Sequence, residues 1–202
     1  MAVSKTVSPV EKRRAKAQAI AGARALAPDL EAPIGSTPAT RYRGNPDIFG
    51  RLVTDHDRHR ALFAMLEQTR GGTPQRKRLF RELVREIKGH AAAEEQALWS
   101  TILRDPATTE DARHAVGEHK DMDKMLADVA ARDMGSGGWL RRLAKVKEAY
   151  LHHIREEEQE QFVAAEKRLT AADLRYMRSV FNRRKAAEKA GAKVVKRIRL
   201  KH

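Results

Sequence analysis

Six side chains of this 202-residue chain are of the types that hold transition-metal ions through nitrogen and oxygen: His56, His90, Glu94, His119, His153 and Glu157. His56 stands in DHDRHRALFAML, His90 in HAAAEEQALW, His119 in EHKDMDKMLADV and His153 in HIREEEQEQF. In an α-helix residues i and i+4 share a face, so His90 can aim at one point with Glu94, and His153 with Glu157. Imidazole with carboxylate suits Fe, Mn or Zn. Cysteine is absent, which excludes disulfides, thiolate metal sites and Fe–S clusters.

The residues sharing a helix face with each histidine say which way it points. His56 lies with Phe49, Leu52 and Phe63, and His90 with Leu79, Leu83 and Ala97. His119 lies with Ala112, Ala115, Leu126 and Ala130, and His153 with Val146 and Ala164. Each stands on an apolar stripe, which a bundle turns inward. His152 shares its face with Lys145, Glu148 and Glu156 and should meet solvent, which selects His153–Glu157 over His152–Glu156. His59 falls beside His56, either behind the ligands or at the core boundary; His114 and His202 read as surface residues. Two carboxylates on inward faces are costly if ionised and unpaired, so they are expected to be paired or to bind metal.

The elements that must carry these residues are four long helices. Asn45-Pro46 opens the first, which runs to about Arg70 before Gly71-Gly72. Thr73-Pro74 opens the second, to about Arg104. Thr108 with Asp111 caps the third, to about Asp133, and after a Gly135-Ser136-Gly137-Gly138 turn the fourth runs from about Trp139 to Arg168. Long helices and short turns predict an all-α fold, an antiparallel up-down-up-down four-helix bundle over 46–168. The halves repeat: His90, Glu94 and Trp99 align with His153, Glu157 and Phe162, and DHDRHRALF with EHKDMDKML. Two such halves give a pseudo-symmetric site for a pair of metals. Residues 1–45 read as a basic extension and linker, with Ser8-Pro9-Val10-Glu11 as a helix start. Residues 169–202 read as a basic extension with a shorter helical segment capped by Thr170 and Asp173.

The net charge of +14 sits in these arms. Residues 1–46 hold eight Lys/Arg against three acids and 167–202 hold thirteen against two, leaving about −2 for the centre. Such arms suit nucleic acid or an anionic surface, or are solvated tails. No apolar run is long enough to span a bilayer and no export signal is visible, so the expected location is cytoplasmic. Strand alternation and phosphate-binding glycine loops are absent, and so are the paired Glu-x-x-His motifs of ferritin-like oxidases.

The ordered set His56, His90-Ala-Ala-Ala-Glu94, His119 and His153-Ile-Arg-Glu-Glu157 resembles the hemerythrin-like family, the HHE cation-binding domains, over about 46–168. The resemblance implies two iron ions bridged by an oxo or hydroxo group and by Glu94 and Glu157, with the four histidines as terminal ligands; Mn or Zn remain alternatives. The chain departs from the oxygen-carrying members, which have a further histidine where Asp123 stands and His-x-x-x-x-Asp in the fourth helix. It is similar in ligand set to bacterial iron-sulfur repair proteins, but lacks their cysteine. Asp123 is either an added ligand or a surface acid. The function implied is binding of O2 or NO, or iron handling in stress, among walls such as Phe63, Met122 and Leu126. The alternatives are a di-iron enzyme acting in cluster repair, NO reduction or peroxide decomposition, or a nucleic-acid-associated sensor using its arms.

Overall fold

The computed structural model describes residues 8–26 and 40–191. Among these the regular structure is helical throughout: α1 (Pro9–Leu26), α2 (Ile48–Glu67), α3 (Pro74–Glu94), α4 (Ser100–Ile102), α5 (Thr109–Ala130), α6 (Gly137–Glu156), α7 (Phe162–Glu166) and α8 (Ala171–Gly191). Two π-helical turns, Glu95–Trp99 and Glu157–Gln161, carry α3 into α4 and α6 into α7 without a break.

Local chemistry sets most of the helix starts. Ser8 and Glu11 cap α1 reciprocally, Glu11 N–H donating to Ser8 Oγ at 3.2 Å and Ser8 N–H to Glu11 Oε2 at 2.8 Å. Asp47 is the cap of α2, accepting from Gly50 N–H at 3.0 Å. A Cβ on Gly50 would stand 2.1 Å from the Asn45 carbonyl oxygen, so only glycine lets the first turn of α2 fold under the chain that leads into it. Thr73 caps α3 ahead of Pro74. Thr108 departs from its expected role: its hydroxyl donates to the Ile102 carbonyl at 2.7 Å, closing the turn between α4 and α5 rather than capping α5. Gly137 and Gly138 belong to the first turn of α6 instead of to the preceding loop.

Helix α2 packs against α3 and α6, and α5 packs against the same two, so the four long helices close a ring. α1 lies along α2, and α8 lies on α3 and α2. At 21 residues α8 is as long as the bundle helices. It buries Leu174, Met177 and Phe181 among Phe49, Trp99 and Phe162, although all three lie beyond residue 168. Its buried stripe is narrow and includes Lys185, so by sequence pattern alone it reads as a solvated basic arm.

The apolar interior falls into two clusters. One gathers residues such as Phe63, Phe80, Leu126 and Trp139; the other gathers Phe49, Trp99, Phe162 and Phe181. Between them the same helices carry a layer of buried polar groups that includes His56, His90, Glu94, His119, His153 and Glu157.

Candidate metal centre

His56 comes from α2, His90 from α3, His119 from α5 and His153 from α6, and all four rings are buried. They meet in pairs: Nε2 of His56 is 3.2 Å from Nε2 of His90, and Nε2 of His119 is 3.2 Å from Nε2 of His153. Glu94 and Glu157 close the space between the pairs. Glu94 Oε2 lies 3.4 Å from His90 Nε2 and 3.6 Å from His119 Nε2. Glu157 Oε2 lies 3.3 Å from His56 Nε2, and its Oε1 3.3 Å from His153 Nε2. Each carboxylate thus faces one imidazole of each pair. All six residues named from the sequence are brought together, and two three-residue groups, His56/His90/Glu157 and His119/His153/Glu157, have their donor atoms within 4.8 Å of one another.

Behind every ring stands another carboxylate. Nδ1 of His56 is 2.8 Å from Glu158, that of His90 is 3.2 Å from Asp55, that of His119 is 2.9 Å from Glu95, and that of His153 is 2.8 Å from Glu118. An Nδ1–H donated to a carboxylate fixes the tautomer and leaves a lone pair on Nε2. Two such lone pairs then face each other across 3.2 Å in each imidazole pair. That arrangement repels unless a metal ion lies beside them or one ring of the pair carries a second proton.

The six groups differ in how burial and their neighbours shift them. Burial pulls His56 well below the usual imidazole range, helped by His90 and Arg60, so it is a neutral donor. Burial also lowers His153, against the pull of Glu118. His90 is raised: burial opposes its charge, but Asp55 and Glu94 outweigh it. Burial drives the Glu157 carboxyl well up, and the neighbouring Glu94 adds to the rise. Glu94, despite the same burial, is held down to about 2 by His90, His119 and His56. All four oxygens of Glu94 and Glu157 are buried without a partner in hydrogen-bond geometry, and among the described residues neither carboxylate has a lysine or arginine within salt-bridge distance. Asp55 and Glu158, by contrast, are compensated: Lys185 Nζ is 2.5 Å from Asp55, and Arg60 is 2.9 Å from Glu158. Four imidazole rings around two carboxyl groups that have no lysine or arginine partner among the described residues fit a cationic metal pair.

The π-turns position this set. Each begins on the residue after or at the shared glutamate, Glu95 in one half and Glu157 in the other. A π-turn widens the helix by one residue, and such turns concentrate at functional sites. Here it lets consecutive acids work inward: Glu94 faces the imidazole pairs while Glu95 reaches His119, and Glu157 faces them while Glu158 reaches His56.

The remaining sequence candidates separate cleanly. His59 is buried with its Nδ1 2.5 Å from the Tyr150 hydroxyl, and its ring stands against His90 at 5.3 Å between centroids, outside both three-residue groups. Asp123 is half exposed and pairs with Lys88 Nζ at 2.5 Å; it does not join the ligand atoms. His152 and His114 are exposed, and His202 lies outside the described residues. Beside the centre is a small cavity of about 10 Å³ whose walls include Ile87, Met122, Tyr150 and the rings of His90, His119 and His153. Of the three expected apolar walls, Met122 lines it; Phe63 and Leu126 belong to the apolar cluster next to it.

The four supporting carboxylates were missed from sequence. Their signal was present as doublets: Asp55-His56 matches Glu118-His119, and Glu94-Glu95 matches Glu157-Glu158. The two imidazole pairs even share one separation, 34 residues.

Residues 47–165 match the family model described as the hemerythrin HHE cation binding domain. No curated protein and no solved structure matches the chain. With more than half of its length matched, and with imidazole pairs and shared carboxylates inside the matched segment, the chain belongs to the hemerythrin HHE cation-binding domain family.

Proposed function

We propose that the chain holds two iron ions in an antiparallel up-down-up-down bundle spanning 46–168, and that this centre binds O2 or NO, or handles iron in stress, in the cytoplasm. His56 and His90 serve one ion and His119 and His153 the other, with Glu94 and Glu157 shared between them. The observation that carries this reading is the opposed Nε2 atoms at 3.2 Å, each ring fixed from behind by a carboxylate, around two carboxylates that meet no lysine or arginine among the described residues. Bound iron supplies a redox-active Lewis acid for a small ligand. The protein supplies the rest. Glu158, Asp55, Glu95 and Glu118 orient the rings, Ile87 and Met122 give the adjoining cavity apolar wall, and Asp123, which also lines that cavity, is paired with Lys88. A cavity of about 10 Å³ stands at the lower limit for one water-sized molecule.

A second reading, turnover of NO or peroxide, draws on Tyr150. Tyr150 lines the cavity and its hydroxyl meets His59 Nδ1 at 2.5 Å; when His59 Nδ1–H donates in that contact, the phenol hydrogen is left for a small ligand. Anaerobic loading with Fe(II), followed by metal analysis and Mössbauer spectra on adding O2, NO or peroxide, tests both. Two irons per chain and a lasting ligand complex are expected; repeated consumption of the added molecule, slowed in Tyr150→Phe, would favour turnover. Unchanged iron content after joint His90→Ala and His153→Ala replacement would overturn the assigned site.

A further inference from the structure

The spacing His-x-x-x-Glu occurs twice more in the regions that carry the buried centre, on the outer face of the bundle. His114 and Glu118 lie on α5, and His152 and Glu156 lie on α6, which packs against α5. His114 Nε2 is 3.2 Å from Glu156 Oε2 and 3.6 Å from Glu118 Oε2, and His152 Nε2 is 3.3 Å from Glu156 Oε1. The donor atoms of His114, Glu118 and Glu156 all lie within 4.8 Å of one another. The His114 side chain is 54% exposed and those of Glu118 and Glu156 are 23% and 28% exposed, so water reaches the cluster.

Two further observations set this cluster apart from an ordinary acidic surface. The first concerns its partners. The chain has 41 Lys/Arg for 27 Asp/Glu, yet among the described residues neither Glu118 nor Glu156 has a lysine or arginine in salt-bridge contact; every contact is an imidazole. The second concerns Glu118. Its Oε2, which faces exposed His114, also lies 2.8 Å from Nδ1 of buried His153. One carboxylate oxygen therefore touches both the surface cluster and a ring of the buried set.

We propose that His114, Glu118 and Glu156 form an exposed divalent-cation site that delivers cations to the buried centre; the delivery rests on the reading of that centre given above. Two carboxylates and an imidazole match the donor preference of Fe(II), Mn(II), Co(II) or Zn(II). A chain of net charge +14 repels cations at long range, so a local pair of uncompensated carboxylates is where a cation can approach. Glu118 then places that cation one side chain from His153.

Co(II) added to the metal-free full-length protein, read by visible absorption and equilibrium dialysis, tests the site. Three ions per chain are expected, two tight and one weaker. His114→Ala and Glu156→Gln, neither of which touches the buried donors, should each lose the weaker ion alone. Because only the second removes a charge, agreement between them reports ligation. Asp121→Asn, which deletes an exposed carboxylate of α5 outside the cluster, should behave as the parent. With limiting Fe(II), loading of the buried pair should slow by about tenfold in both cluster variants while the final iron content is unchanged. Retention of the weaker ion in both variants, or its loss with an unchanged loading rate, would overturn the proposal. A parent that takes up only the weaker ion would overturn the reading of the buried centre and the delivery step with it.

Discussion

A neutral imidazole that donates through Nδ1 must present a lone pair at Nε2, and the six carboxylates around the centre divide their work along that line. Glu94 and Glu157 face the lone pairs; Asp55, Glu95, Glu118 and Glu158 hold the Nδ1 atoms. Supporting carboxylates of this kind are worth about 10–100-fold in metal affinity. Glu158→Gln should therefore weaken iron binding by about that factor while leaving all six proposed ligands in place, measured by competition with a chelator. Glu157→Gln should act differently. It removes a carboxyl that is buried without a hydrogen-bond partner, so the metal-free variant should unfold within about 1 kcal/mol of the parent. The rise in Tm that iron gives the parent should largely vanish, because ligand-linked stability scales with affinity. A metal-free variant that is much less stable would mean that Glu157 has a structural role.

At the scale of elements, two features carry the site: the π-turns, which bring consecutive acids inward, and α8, which closes the back of His90. Phe181 of α8 stands edge-on to the His90 ring at 5.6 Å, and Lys185 reaches both Asp55 and Glu86, at 2.5 and 2.7 Å. Glu86 also pairs with Lys189 and with Arg58. Burial pushes the Glu86 carboxyl up, but Lys185 and its neighbours outweigh burial and hold it well below its ordinary 4.5. A carboxylate depressed in the folded state adds stability above its unfolded value and loses it as the pH falls toward its folded value. Glu86→Gln should thus destabilise the protein by about 2 kcal/mol near neutrality, because buried Lys185 keeps Asp55 as a partner but loses its second carboxylate. The difference from the parent should shrink progressively below pH 4.5, as acid unfolding curves of the two would show.

On the scale of the whole molecule, the polar layer is held between two apolar clusters, and α8 belongs to one of them. A chain ending at 168 loses Leu174, Met177 and Phe181 from that cluster. At about 1.5–3 kcal/mol for each buried side chain, it should unfold at a much lower denaturant concentration than the parent. A chain spanning 40–191 keeps both clusters and should match the parent in iron content, at a denaturant midpoint lowered only by the loss of α1 from α2. A shorter chain that is equally stable would show that α8 is dispensable. The same packing changes the meaning of the basic arms. Lys185 and Lys189 spend their charge on Asp55, Glu82 and Glu86, so part of the positive excess in 167–202 is internal and unavailable to an outside polyanion. Among the described residues no helix is long and apolar enough to cross a membrane.

The helical class, the family and the six residues that converge are all legible in the chain before it folds, because His-x-x-x-Glu spacing and apolar stripes are properties of a single helix and survive without neighbours. The sequence also carries, in the doublets Asp55-His56, Glu118-His119, Glu94-Glu95 and Glu157-Glu158, the trace of the supporting shell. What those doublets do was decided only in three dimensions. Asp55 serves His90 and not its chain neighbour His56, and Glu118 serves His153 and not His119, because adjacent residues point about 100° apart on a helix and the partner arrives from another helix. The π-turns, the inward Lys185 of α8, the removal of Asp123 to Lys88 and the meeting of His114 with Glu156 have the same origin. Each depends on which helices lie side by side, a choice made by the packing of the two apolar clusters and not by any one segment.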